Sequence, residues 1–257
     1  MIWQGYGASV MGTSHQTTGA PCQDAFLLRF CGPVVIAAVA DGLGSAVKSD
    51  IGSKLAVAAA GEAVEQALAT TTPLTELQWR EVLRSSFAVA RCALEQHATA
   101  ASQQLRDFAT TLLVAVITPG FLAVGQIGDG AIVARKFTGE LETVSLPQRG
   151  EFANETTPLT AVGALERVVY RVLPAPITGL ALFSDGLQNL CITSATGQPF
   201  EPFFAPFFAT FTPPFDQDEL ARQLARFLES ERVCLRTDDD KTLVVIARMP
   251  HQPAAQT

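Results

Sequence analysis

The sequence predicts an α+β fold, a four-layer α-β-β-α sandwich in which two stacked antiparallel sheets are covered by helices on their outer faces. Three observations predict it. Apolar runs rich in β-branched residues, such as VVIAAVA at Val34–Ala40 and ATTLLVAVI at 109–117, have strand length and stop at turn residues. Strands come first, then two long helical stretches, then many strands, then a helix and a final strand, which is not the regular alternation of a parallel α/β chain. The helical stretches are amphipathic, so each needs an apolar sheet face to cover.

Residues 5–14 read as a first strand, followed by a loop to Asp24. Residues 25–31 form a second strand, and Gly32-Pro33 turns the chain into the strand at 34–40, an antiparallel meander. Ser49 or Asp50 can cap a helix to about residue 69, with Ile51, Leu55, Ala59, Ala63 and Ala67 at helical spacing. Thr75-x-x-Gln78 is a capping box for a second helix carrying Trp79, Val82, Leu83, Phe87, Ala90 and Leu94 towards residue 103. Thr118-Pro119-Gly120 then joins strands 109–117 and 121–127 as a hairpin. A third strand at 131–137 follows at once, which puts Asp129 in a tight turn between paired strands. Residues 138–164 are polar and punctuated by proline and glycine, so at most one short strand is expected there, in a flap beside the site.

Strands are expected at 165–173 and 179–183. Residues 197–214 hold five prolines and six phenylalanines and read as an irregular segment packed across the core. Asp216 or Asp218 caps a last helix bearing Leu220, Leu224, Phe227 and Leu228, and the strand at 242–248 precedes a short polar tail at 251–257. At 257 residues with 48% hydrophobic content, the chain suits one domain, 1–257. Its net charge of −7 disfavours nucleic acid and anionic membrane surfaces as partners. Five scattered cysteines without C-x-x-C spacing read as reduced thiols in a cytoplasmic protein. The N-terminus lacks the pattern of a signal peptide, and the most apolar long stretch is divided at Thr118-Pro119-Gly120 into pieces too short to cross a bilayer.

Four apolar segments each deliver aspartate at one end: Asp41, Asp129, Asp185 and the run Asp238-Asp239-Asp240. A single Asp-Gly pair is ordinarily a turn. Aspartates converging from separate strand ends would repel each other and resist desolvation unless a cation sat among them. An all-oxygen ligand set suits Mg2+ or Mn2+ rather than zinc.

The motifs Gln23-Asp24, Ala40-Asp41-Gly42, Ala109-Thr110-Thr111-Leu112, Gly128-Asp129-Gly130, Ser184-Asp185-Gly186 and Asp239-Asp240-Lys241-Thr242 fall in the order and at about the spacing of type 2C metal-dependent protein serine/threonine phosphatases. The chain resembles a compact, bacterial-style member. The resemblance implies hydrolysis of phosphoserine and phosphothreonine in proteins at a two-ion Mg2+ or Mn2+ centre by metal-activated water, without a phosphoenzyme. It implies that Asp41 bridges the two ions, that Asp185 and Asp239 bind the first, and that the Gly42 carbonyl and Asp24 serve the second. Asp129 then belongs to a third, weaker site.

Asp240 stands where the family often has asparagine, and the register within the triple aspartate is open by one residue. No arginine precedes Asp24 to hold the substrate phosphate, and His15 is the nearest candidate for that role. Leu43 replaces a histidine present in some members, and Gln23 replaces the more usual glutamate. The implied partners are a phosphoprotein substrate and a cognate serine/threonine kinase. The alternative is a catalytically weak regulatory module that binds a phosphoprotein or a kinase, for which the missing arginine is the only support.

Overall fold

The computed structural model describes residues 2–70, 73–148, 156–174 and 177–249. Its strands are β1 (Trp3–Val10), β2 (Ala25–Cys31), β3 (Val34–Ala40), β4 (Leu112–Ile117), β5 (Phe121–Ile127), β6 (Ala131–Lys136), β7 (Leu141–Ser145), β8 (Val169–Pro174), β9 (Ile177–Phe183), the short pair β10 (Ile192–Thr193) and β11 (Gln198–Pro199), and β12 (Lys241–Arg248). Its helices are α1 (Thr13–Thr18), α2 (Ser49–Thr70), α3 (Glu76–Ala100), α4 (Ala164–Arg167), α5 (Gln188–Cys191), α6 (Glu201–Phe208), α7 (Gln217–Leu228) and α8 (Glu231–Cys234). One sheet runs β1-β12-β9-β6-β7 and the other β2-β3-β4-β5-β8, with every neighbouring pair antiparallel.

Three apolar layers separate the four structural ones, as the pattern of strands and helices predicts. Val35, Ala37, Val39, Leu113, Leu182, Val244 and Ile246 fill the space between the sheets. The opposite faces of β3 and β4 bury Ile36, Ala38 and Val114 with Trp79, Leu83 and Phe87 of α3, while Tyr6, Phe183 and Val245 of the first sheet meet α6 and α7 through Phe204, Leu224 and Leu228. Strands covered on both faces need apolar residues at every position, which is why these segments are continuous runs rather than alternating ones.

Thr75 caps α3 as the capping box requires, its side chain accepting from Gln78 N at 3.3 Å while Gln78 Oε1 accepts from Thr75 N at 3.1 Å. In α2 the expected stripe from Ile51 to Ala67 lies only half-buried. The buried face is offset from it and built mainly of small residues, Gly52, Ser53, Ala56, Ala60 and Gly61, with Val57 and Val64. A Cβ on Gly52 would collide with the Phe108 carbonyl and one on Gly61 with Leu27, so the helix lies closer to its neighbours than leucine would permit.

Five local expectations need correction. β5 and β6 do not pair: the chain changes sheets there, and Asp129 sits on the crossover. Gly128 makes the crossing at φ +106°, a conformation that favours glycine. Residues 165–167 belong to α4, with the strand starting at Val169, and the proline-rich segment forms α6, with Pro202 in its first turn where a missing N–H costs nothing. α1 replaces loop at 13–18, and α8 follows the helix read as last. Within 138–164, β7 and the tethered residues around buried Leu159 frame 149–155, which lie outside the described residues, as does the tail at 251–257.

Replacing Thr75 with alanine removes the cap of α3 and is expected to cost about 1 kcal/mol. Urea denaturation should show this as a lowered midpoint with the circular dichroism spectrum of the folded state unchanged.

Candidate functional site

Strand direction gathers the aspartates. Asp24 precedes β2 and Asp41 ends β3, and these strands are antiparallel with Ala25 opposite Ala40. Asp185 follows β9 by two residues and Asp239 stands just before β12, strands that are also antiparallel, with Phe183 opposite Leu243. All therefore lie at one end of the stacked sheets, where the β5–β6 crossover adds Asp129.

The result is a cleft of about 180 Å3 lined by Asp41, Asp129, Asp185 and Asp239 together with His15, Gln23, Gly42, Leu43, Gly44 and Thr156. Carboxylate oxygens of Asp41, Asp129 and Asp185 lie within 4.8 Å of one another. Asp239 stands at the solvent side. Asp24 lies behind the cleft rather than on its wall, 4% exposed, with Oδ2 accepting from Ser184 Oγ and Thr242 Oγ1, both at 2.7 Å. No lysine or arginine lines the cleft among the described residues.

Burial raises the pKa of every one of these acids, and their mutual repulsion adds to it. Asp24 is pushed up to about 7 and Asp185 to about 6, both first by burial; Asp41 goes well above the usual carboxylate range for the same reason, with Asp24, Asp185, Asp239 and Asp129 all repelling its charge. Asp129 and Asp239 are raised as well, again chiefly by burial. Oδ1 of Asp24, Asp129 and Asp185 has no hydrogen-bond partner. Orphaned, crowded carboxylate oxygens without a cationic side chain fit a divalent metal.

The supporting residues were only partly legible as motifs. The Ala109-Thr110-Thr111-Leu112 run holds Asp41 by its backbone: Thr111 N and Thr110 Oγ1 donate to the Asp41 carbonyl at 2.8 and 3.0 Å, and Asp41 N donates to Thr111 Oγ1 at 2.9 Å. Thr156 donates to Asp129 Oδ2 and Gln188 to its carbonyl, while Gln126 donates to the carbonyls of Gly128 and Gly130 at 3.0 and 2.7 Å. Thr156 and Gln188 carried no signal in the sequence.

Within the triple aspartate, Asp239 faces the cleft. Asp240 is buried, accepting from Gly12 N and Gln23 N at 2.6 Å each, with His15 Nδ1 3.0 Å from its Oδ1. The Asp238 carbonyl accepts from Ser14 N and Oγ at the start of α1. A Cβ on Gly186 would strike the Asp240 carbonyl, which is why the Ser184-Asp185-Gly186 motif ends in glycine.

The fold and this oxygen-lined cleft define a four-layer α-β-β-α sandwich with an acidic site of metal-binding type at one end of its sheets. Comparison with known proteins narrows the class: the model of the protein phosphatase 2C family matches residues 11–229. The chain belongs to the protein phosphatase 2C family and is a protein serine/threonine phosphatase. It is 34% identical over 253 residues to serine/threonine-protein phosphatase 3 of Escherichia coli, covering 95% of this chain and 98% of the relative. The serine/threonine phosphatase of S. agalactiae superposes with a TM-score of 0.67 at 15% identity, over 96% of this chain and 99% of that one. The Staphylococcus aureus enzyme Stp1 does so with a TM-score of 0.63 at 13% identity, over 97% and 96%.

Raised carboxylate pKa values have a sign in stability. Between the unfolded value of about 4 and the folded values of about 6 and 7, the folded state binds more protons than the unfolded one, so stability contributed by these groups falls as pH rises. The melting temperature in EDTA should drop between pH 5 and pH 8, and the gain on adding Mn2+ should be larger at pH 8. Asp185→Asn should flatten both trends; an equal Mn2+ gain at both pH values would contradict this account.

Proposed function

We propose that the enzyme removes phosphate from phosphoserine and phosphothreonine by direct attack of water, with Mg2+ or Mn2+ held in the aspartate cleft. The observation that carries this is the meeting of Asp41, Asp129 and Asp185 oxygens within 4.8 Å, with no lysine or arginine lining the cleft among the described residues. Asp41 would be shared by two ions, with Asp185 and Asp239 on the first, the Gly42 carbonyl and Asp24 on the second, and Asp129 at a third, weaker site. When bound, such ions neutralise phosphoryl charge and lower the pKa of water.

The protein's own groups do the positioning. Ser184 and Thr242 occupy Asp24 Oδ2, which leaves only Oδ1 to face an ion or its water, and Thr156 does the same for Asp129. Burial, with Asp240 and Asp24 nearby, pushes the Cys22 thiol up to about 12, which argues against a nucleophilic role for it. In place of the absent arginine, His15 would receive the substrate phosphate. With Nδ1 turned to Asp240, its Nε2 is the ring nitrogen left for a phosphoryl oxygen.

The 138–164 segment, through Thr156 on the cleft wall, would meet the peptide around the phosphorylated residue. A cognate serine/threonine kinase would supply the substrates. Free cysteines are in keeping with a cytoplasmic setting, and no helix among the described residues is long and apolar enough to cross a membrane. Nothing in the structure or the comparisons favours the regulatory-module alternative.

Asp41→Asn and Asp239→Asn should each lower kcat/KM for p-nitrophenyl phosphate by about a thousandfold, the loss of several kcal/mol of charge stabilisation, while Asp129→Asn costs far less. Wild-type turnover undiminished by EDTA would sink the metal reading. His15→Ala should raise KM for the same substrate about tenfold, as expected for a lost hydrogen bond to a charged group, with a smaller change in kcat; an unchanged KM would remove His15 from phosphate binding.

A further inference from the structure

Outside the cleft, a groove of about 750 Å3 lies on the outer face of the first sheet, between α6, α7, β10 and the turn after α8. It shares no lining residue with the aspartate cleft. Its floor is aromatic: Phe203, Phe207 and Phe227 form a triangle with ring centroids 5.4 to 6.1 Å apart. Arg232 and Arg236 line one side, and neither side chain has an ion-pair or hydrogen-bond partner among the described residues. Two guanidinium groups, unpaired among the described residues, therefore stand beside half-buried phenyl rings on a chain of net charge −7.

We infer that this groove docks a linear segment of the phosphoprotein substrate carrying an aromatic or aliphatic side chain flanked by acidic residues. The inference rests on the phosphatase reading above, since it is the protein part of the substrate that the groove takes. Acidic side chains would pair with Arg232 and Arg236 while the apolar one covers the phenylalanine floor, the combination of aromatic and arginine contacts that concentrates binding energy at protein interfaces. Phe200, 50% exposed, lines the groove, and Leu235, 77% exposed, follows it in the chain next to Arg236, so apolar surface reaches beyond what a small ligand would cover. Asn189 and Ser194 at the rim can bond to an extended backbone. The chain's own residues 250–257 contain neither an acidic nor a large apolar side chain, so they match the groove poorly. Its walls also lead directly to the chemistry: residues 185–194 join Asp185 to the rim, and Arg236 is followed within one short turn by Asp239.

A random-peptide library displayed against the full-length wild-type enzyme tests the groove. Peptides with phenylalanine, tryptophan or leucine beside aspartate or glutamate should be enriched, and the Arg232→Glu/Arg236→Glu enzyme should fail to enrich them. A phosphothreonine peptide joined to an enriched sequence should show KM at least fivefold lower than the unextended peptide, with kcat unchanged and no advantage in the double variant. Absence of enrichment, enrichment that survives loss of both arginines, or a groove taken by dodecanoate or by a second copy of the chain instead of peptide would overturn docking. Turnover of p-nitrophenyl phosphate should be the same in both enzymes. Measured in parallel, it separates failure of docking from failure of the phosphatase reading, because only the latter abolishes it in the wild type.

Discussion

Electrostatic crowding is the constraint on which the rest of the molecule depends. Asp24, Asp41, Asp129, Asp185 and Asp239 occupy one end of the sandwich, and each is held above its ordinary pKa by burial and by the others. Such a cluster is unfavourable for an isolated chain and becomes favourable only with cations present. The two-sheet core, continuous and apolar in three layers, offsets that cost and keeps the strand ends from relaxing apart.

The support around the acids is built mainly from neutral donors. The hydroxyls of Thr110, Thr156, Thr242 and Ser184 and the Thr111 backbone N–H hold backbone or carboxylate oxygens without adding a positive charge that would compete with a metal. Asp240 is the exception in sign. A carboxylate can accept from two amides at once, as it does from Gly12 and Gln23, whereas asparagine would set its NH2 against one of them. The departure from the family's usual residue thereby ties the start of α1, the Gln23-Asp24 segment and the start of β12 together, with His15 Nδ1 3.0 Å from Asp240 Oδ1.

The crossover at Gly128-Asp129-Gly130 joins the two sheets at the same end. It needs a positive φ at Gly128, and a Cβ on Gly130 would meet the Phe183 carbonyl. Glycine on both sides of Asp129 is therefore a requirement of sheet crossing and close packing. The hairpin reading of that Asp-Gly pair failed because local turn chemistry is the same whether the next strand pairs with the last one or leaves for the other sheet.

What the sequence determined by itself was the identity of the long elements and the placing of acids at their ends: apolar runs of strand length, the Thr75–Gln78 cap, and aspartates beside strand ends. These are properties of neighbouring residues, and local propensity and side-chain type are enough to specify them. Tertiary structure alone decided which strands share a sheet, that Asp24 stands behind the cleft, that Asp239 rather than Asp240 faces it, and that α6 and the turn after α8 enclose an arginine-edged groove. Each of those facts joins segments distant along the chain, and their contacts depend on how whole layers pack rather than on any pattern within one segment.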